Sequence, residues 1–155
     1  FTFINLQNLM YLDLNSNQIS IIELNAFKGL AKLFMLYLYH NKIKYIKNGY
    51  FLDLENLNRL ELYSNTIEFI EENSFKNLRR LDYLDISNNI LNRFESSTFK
   101  SMRFLKKLLL KGNRLFNLNI EIDFSILESV HLNFNILKFI QNNSFSRFIN
   151  LKVLE

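Results

Sequence analysis

Leu9-Met10-Tyr11-Leu12-Asp13-Leu14-Asn15-Ser16-Asn17-Gln18-Ile19 is the stretch on which the reading of the fold turns. Its skeleton is Leu at offsets −8, −5 and −3 from an asparagine, with an apolar residue two places after it. The skeleton returns as Leu33/Leu36/Leu38/Asn41/Ile43, Leu57/Leu60/Leu62/Asn65/Ile67 and Leu81/Leu84/Ile86/Asn89/Leu91. It continues as Leu105/Leu108/Leu110/Asn113/Leu115 and Leu127/Val130/Leu132/Asn135/Leu137. The first five asparagines stand 24 residues apart, and Asn135 follows after 22. A period in the low twenties marks a solenoid, in which each repeat buries its apolar face only against its neighbours.

Within each copy the x-Leu-x-Leu segment alternates, the signature of a short strand with one face buried. Leu12 and Leu14 are predicted to point inward, Tyr11 and Asp13 outward. The asparagine then turns the chain away from the sheet. Its amide carries donors and an acceptor, so it can satisfy backbone groups of its own turn and of the neighbouring one. Asn17, Asn41, Asn65, Asn89, Asn113 and Asn135 therefore read as a structural ladder.

A second register follows behind the sheet. Ile22, Ile46, Ile70, Phe94, Leu118 and Ile140 stand five after the asparagines, and Phe27, Phe51, Phe75, Phe99 and Phe145 stand ten after, with Phe3 in the same phase. Rings stacked at this spacing are expected to form an aromatic spine. Irregular or single-turn helical segments between them are wider than strands, so the stack should curve with the strands on its concave face. Asp123 takes the spine position after Asn113, so Ile120, Ile122 or Phe124 is expected to fill it, with altered curvature there.

The chain of 155 residues, 48% hydrophobic, suffices for one domain, 1–155, with a sizeable core. Repeats begin near 9, 33, 57, 81, 105 and 127, with partial repeats at 1–8 and 151–155. The chain starts with Phe1 and is cut inside a repeat at both ends, so it is expected to be a piece of a longer array, terminal caps absent. No apolar run reaches eighteen residues, which argues against a membrane span. With no cysteine there is no disulfide framework and no thiolate chemistry. The net charge of +4 is unevenly placed, since ten Lys/Arg face three acids between Lys76 and Arg114.

The motif Leu-x-x-Leu-x-Leu-x-x-Asn-x-Leu, with Phe ten residues after the Asn, resembles the "typical" 24-residue class of leucine-rich repeats. That class is found in animal extracellular proteins, including Toll-like receptors, Slit-type guidance proteins and neuronal adhesion receptors. The resemblance implies an α/β repeat solenoid, a horseshoe with a concave parallel β-sheet and an irregular or short-helical convex side stacked on the Phe spine. It also implies a secreted or cell-surface location and ligand binding. Cysteine-bearing caps are usual in the family, and this chain has none. Lys47, Glu71 and Glu95 stand where many members carry proline. A single glycosylation sequon, Asn142-Asn143-Ser144, precedes the last spine residue.

Function should reside in the outward strand positions. Offset −6 holds Tyr11, Met35, Arg59, Tyr83, Lys107 and Ser129; offset −4 holds Asp13, Tyr37, Glu61, Asp85, Leu109 and His131; offset −2 includes Tyr39, Tyr63 and Lys111. Tyr11, Met35, Tyr37, Tyr39, Tyr63 and Tyr83 are expected to form one aromatic patch flanked by Asp13, Glu61 and Asp85. Cross-strand aromatic contacts can simply stabilise a sheet, but exposed tyrosines with mixed charge are also what interface cores use. Lys106, Lys107 and Lys111 form a basic cluster on the fifth repeat, and Arg79 and Arg103, with Arg80 beside them, should stack at the lip of the sheet. These cations read either as a solvated surface or as a contact for an acidic partner or a sulfated glycan. Nucleic acid is the weaker reading, because backbone binding needs many phosphate contacts.

Enzyme chemistry finds no pattern: His40 and His131 lie four repeats apart, carboxylates are scattered, and no nucleophile–base pair, cofactor motif or metal cluster emerges. The leading expectation is a recognition module of an extracellular receptor or adhesion protein that binds a protein ligand or co-receptor on its concave face. The alternatives are structural spacer repeats of a longer ectodomain and a polyanion-binding surface on the basic fourth and fifth repeats.

Overall fold

The computed structural model describes residues 2–118, 125–140, 142 and 144–155. Six three-residue strands occupy offsets −6 to −4 of the six repeats: β1 (Tyr11–Asp13), β2 (Met35–Tyr37), β4 (Arg59–Glu61), β6 (Tyr83–Asp85), β7 (Lys107–Leu109) and β8 (Ser129–His131). With β9 (Val153–Leu154) they make a seven-stranded parallel sheet in the order β1-β2-β4-β6-β7-β8-β9. Equivalent residues pair, so that Leu12, Leu36, Leu60, Leu84, Leu108 and Val130 form one inward row. From Leu36 to Val130 that row is fully buried. Burial decays toward both ends of the stack, where a repeat has a neighbour on one side only. Leu12 and Leu14 are half-buried, and Ile140, expected in the core, is exposed.

Each asparagine from Asn41 to Asn113 acts as the alternation requires. Asn65 donates to Leu38 O of the preceding repeat at 2.9 Å and to Leu62 O of its own at 3.0 Å, while its Oδ1 accepts from Ile43 N at 3.0 Å. Asn41, Asn89 and Asn113 repeat the arrangement. Asn135 keeps it across the short repeat, accepting from Leu115 N at 3.0 Å and donating to Leu110 O at 3.0 Å. One residue before every ladder asparagine the backbone is left-handed: Ser16, His40, Ser64, Asn88, Gly112 and Phe134 have φ between 51° and 66°. This turn swings the amide under the sheet, and only Gly112 and Asn88 advertise it by type.

The spine is continuous from Phe3 to Phe99, with near-parallel rings 5.9 to 6.2 Å apart. That is wider than the ~4.8 Å between strands, so the sheet lies on the inside of the curve. The convex side holds one 3-10 helix, Ser96–Phe99, among the described residues. A second small sheet pairs β3 (Tyr45–Ile46) with β5 (Phe69–Ile70) on the descending flank. The repeated aromatic-Ile dipeptide was its signal in the sequence. Across the 22-residue repeat, Lys107 still pairs with Ser129, and Lys138 N still reaches Phe116 O at 3.0 Å. The shortening therefore falls between Phe116 and Ser129. Asp123 and its replacements Ile120, Ile122 and Phe124 lie outside the described residues.

Candidate partner-binding face

The strand side chains that point away from the core build one surface. Tyr11 meets Tyr37 edge-on at 5.1 Å, Tyr37 lies 5.9 Å from Tyr39, and Tyr39 stacks on Tyr63 at 4.5 Å with their rings nearly parallel. His40 stands edge-on to both stacked rings, at 5.6 and 5.3 Å. Tyr37 Oη donates to Met35 Sδ at 3.4 Å. Tyr83 joins through a cation rather than a ring: the Arg59 guanidinium sits 3.7 Å from its centroid, and Arg59 Nε donates to Glu61 Oε1 at 2.6 Å. The first four repeats thus present a connected aromatic face, which the column positions of the sequence put together.

The acids behave differently from the expected flanking charges. Glu61 and Asp85 are each only 8% exposed. Glu61 is engaged by Arg59, and Asp85 Oδ1 accepts from Ser87 N at 2.8 Å. Asp13 makes the same turn contact with Asn15 N at 3.0 Å and also accepts from Tyr11 Oη at 3.1 Å. The Asn15 backbone N–H holds the Asp13 carboxyl below its ordinary range. A carboxylate two residues before a free N–H satisfies that donor locally, so these acids position the turn and the tyrosines more than they offer free charge.

Partial desolvation on the sheet, followed by nearby carboxylates and phenols, raises the phenols of Tyr39 and Tyr63, so they stay protonated donors near neutrality. Burial first, then the Asp85 carboxylate, pushes Tyr83 up to about 12. Its contribution to stability is therefore complete below the unfolded-state value of about 10 and is lost as pH rises through about 12. Phenolate absorbance should show a step near pH 12 in the parent that Tyr83→Phe removes. Identical alkaline titrations of the two proteins would refute this.

The basic cluster is less uniform than its spacing suggests. Lys106 Nζ pairs with Asp82 Oδ2 at 3.1 Å, Lys111 Nζ lies 5.2 Å from the Phe134 ring, and Lys107 is exposed on the face. Arg79 and Arg103 line one cleft, whereas Arg80 Nη1 turns to Asn56 Oδ1 at 2.8 Å on the adjoining one. Asn142 is exposed in a turn, and Asn143 of its sequon lies outside the described residues.

One constellation escaped the sequence reading. Ser129 Oγ lies 2.7 Å from His131 Nε2, and His131 Nδ1 lies 2.8 Å from Glu155 Oε2. Ser129 and His131 sit at offsets −6 and −4 of one repeat and Glu155 at −4 of the next, so the column logic could have found them. The order hydroxyl–imidazole–carboxylate can activate a nucleophile, but acyl transfer also needs free N–H donors at the developing oxyanion. The nearby N–H groups of Ser129 and Leu132 are bound to Lys106 O and Glu155 O. The trio ties β8 to the following strand. His40 and His131 remain apart, and among the described residues no group of three His, Cys, Asp or Glu is placed to hold a metal.

The family model described as leucine rich repeat matches residues 1–43, 38–91 and 55–115. This chain belongs to the leucine-rich repeat family. As a leucine-rich repeat chain it superimposes on TLR13 in a TLR13–ssRNA13 complex with a TM-score of 0.74 and 25% identity, over 99% of this chain and 26% of that one. It also resembles the leucine-rich repeat domain of APL1B, with a TM-score of 0.76 and 31% identity, over 81% of this chain and 38% of that one. The chain thus spans well under half the length of either. No curated protein matches the sequence. Leucine-rich repeats typically serve as interaction modules rather than enzymes. No helix among the described residues is long and apolar enough to cross a membrane.

Proposed function

We propose that this chain is the recognition surface of an extracellular or cell-surface receptor or adhesion protein, binding a protein ligand on its concave sheet. The supporting observation is the linked face Tyr11–Tyr37–Tyr39–Tyr63, with His40 wedged against the last two rings. Buried rings would serve the core, but these stand on the open side of the sheet, where the leucines behind them already supply the packing. Rigid tyrosines with phenol donors give large contact area at low entropic cost, the composition of interface hot spots. Lys107 and Lys111 in the fifth repeat would bias the choice toward a partner with an acidic patch beside its apolar one.

The test places a photo-crosslinking residue at Tyr63 and, as control, at exposed Lys47 on the other side of the repeat. A protein captured only from Tyr63 is then titrated against the Tyr39→Ala/Tyr63→Ala double variant. Its affinity should fall about 100-fold, near 2.7 kcal/mol, with the fold unchanged by circular dichroism. Equal capture from both positions, or an unaltered affinity, would reject the concave face.

A further inference from the structure

We propose that the convex flank of the third and fourth repeats is a separate binding site for a sulfated polysaccharide. A cleft of about 490 Å³ there is lined by Lys76, Arg79, Lys100 and Arg103, with hydroxyls from Ser97 and Ser101 and the ring of Phe104. The two cation pairs arise from repetition. Lys76 N and Lys100 N close the same turn onto Asn73 O and Ser97 O, and Arg79 N and Arg103 N onto Asn77 O and Ser101 O. Each pair is 24 residues apart, so the lysines form one row and the arginines another, one repeat to the next. Their spine residues, Phe75 and Phe99, are 6.2 Å apart. Among the described residues none of the four cations is in an ion pair. The nearby Glu72 carboxylate accepts from Ser97 Oγ at 2.8 Å.

Four like charges around one cleft, none of them held in an ion pair among the described residues, repel one another, and an anion bound among them relieves that repulsion. The arrangement also selects the kind of anion. Two rows of cations, each repeated from one repeat to the next, suit a chain that carries several sulfates in line. Phe104, 60% exposed, also lines the adjoining cleft, where Lys106 is paired with Asp82 at 3.1 Å, so the four unpaired lysines and arginines stay with the first cleft. Single-stranded nucleic acid would require an aromatic platform for successive bases. This cleft supplies one ring among hydroxyls, the amide of Asn73 and the four cations, a lining suited to sugar hydroxyls and sulfates. The site is independent of the tyrosine face and would tether the protein to glycans while leaving the concave sheet free.

Heparin serves as the probe, titrated against the protein at several salt concentrations. The variant Lys76→Gln/Arg79→Gln/Lys100→Gln/Arg103→Gln should bind at least about tenfold more weakly, with a log affinity–log salt slope shallower by roughly three. All four side chains are exposed, so the circular dichroism spectrum should not change. The control Lys106→Gln/Lys107→Gln/Lys111→Gln removes similar charge from the concave side and should stay within about threefold of the parent. Desulfated heparin should not bind. Equal losses in the two variants would show net charge alone at work and overturn the proposal. So would an unaffected quadruple variant, or a single-stranded oligonucleotide bound at the same residues more tightly than heparin.

Discussion

Replacing Asn89 by leucine should lower the unfolding midpoint by roughly 8–16 °C, from a loss of about 4 kcal/mol. Asn89 is 5% exposed and makes four hydrogen bonds. Its Nδ2 donates to Leu62 O at 3.0 Å, Ile86 O at 3.0 Å and Ser87 O at 3.1 Å, and its Oδ1 accepts from Ile67 N at 2.8 Å. The carbonyls retain second donors, since Leu62 O also accepts from Asn65 and Ile86 O from Asn113. Ile67 N–H has no such reserve. A buried orphan donor costs about 1–3 kcal/mol, and the three lost carbonyl bonds add about 1 kcal/mol or less each. Leucine is similar in size, so the loss reports hydrogen bonding and not a cavity. Asn89→Asp keeps the acceptor for Ile67 but sets a carboxylate against three carbonyls, and should be no milder. A midpoint within about 3 °C of the parent for Asn89→Leu would mean that water or backbone adjustment replaces the ladder.

Phe75→Ala should cost about 3–5 kcal/mol and weaken the stack locally rather than everywhere. The ring is fully buried, between Phe51 at 5.9 Å and Phe99 at 6.2 Å. Its removal leaves a cavity that neither neighbour can fill, because Phe51 is held by Phe27 at 6.1 Å and Phe99 by Phe94 at 5.0 Å. Stability in a solenoid is a sum of repeat and nearest-neighbour terms. Hydrogen-exchange protection should therefore fall most in the second to fourth repeats, at Leu62 N–H and Ile86 N–H, and least near β8. A uniform loss of protection across all strands would contradict that picture. Phe75→Leu, which retains most of the volume, should cost roughly half as much.

Much of this architecture was legible because one residue type reports one environment at a fixed offset. Counting from each asparagine separated Leu60 and Leu62, inside, from Arg59, Glu61 and Tyr63 on the other face, and located the spine phenylalanines. The count also gathered Tyr11, Tyr37, Tyr39 and Tyr63 into a column neighbourhood. It gave sides, however, and not states. Alternation cannot reveal that Glu61 and Asp85 are covered, because their burial comes from Arg59, Tyr83 and the turn N–H of Ser87 arranged around them. Nor does it reveal that Ser16, Ser64 and Phe134 adopt left-handed backbone, since the turn imposes that conformation whatever the side chain.

By itself, then, the sequence determined the repeat, the inward leucines, the asparagine ladder and the stacked rings. Each of these is a local choice repeated every 24 residues, with one step of 22, and stacking copies of one unit leaves few alternatives. Only the tertiary structure decided which outward side chains meet one another. It joined Ser129, His131 and Glu155, stacked Tyr39 on Tyr63, and left Lys76, Arg79, Lys100 and Arg103 around one cleft, none of them in an ion pair among the described residues. The physical reason is distance. Side chains from adjacent repeats are far apart along the chain but one repeat apart in space, and rotamers, not spacing, set whether they touch.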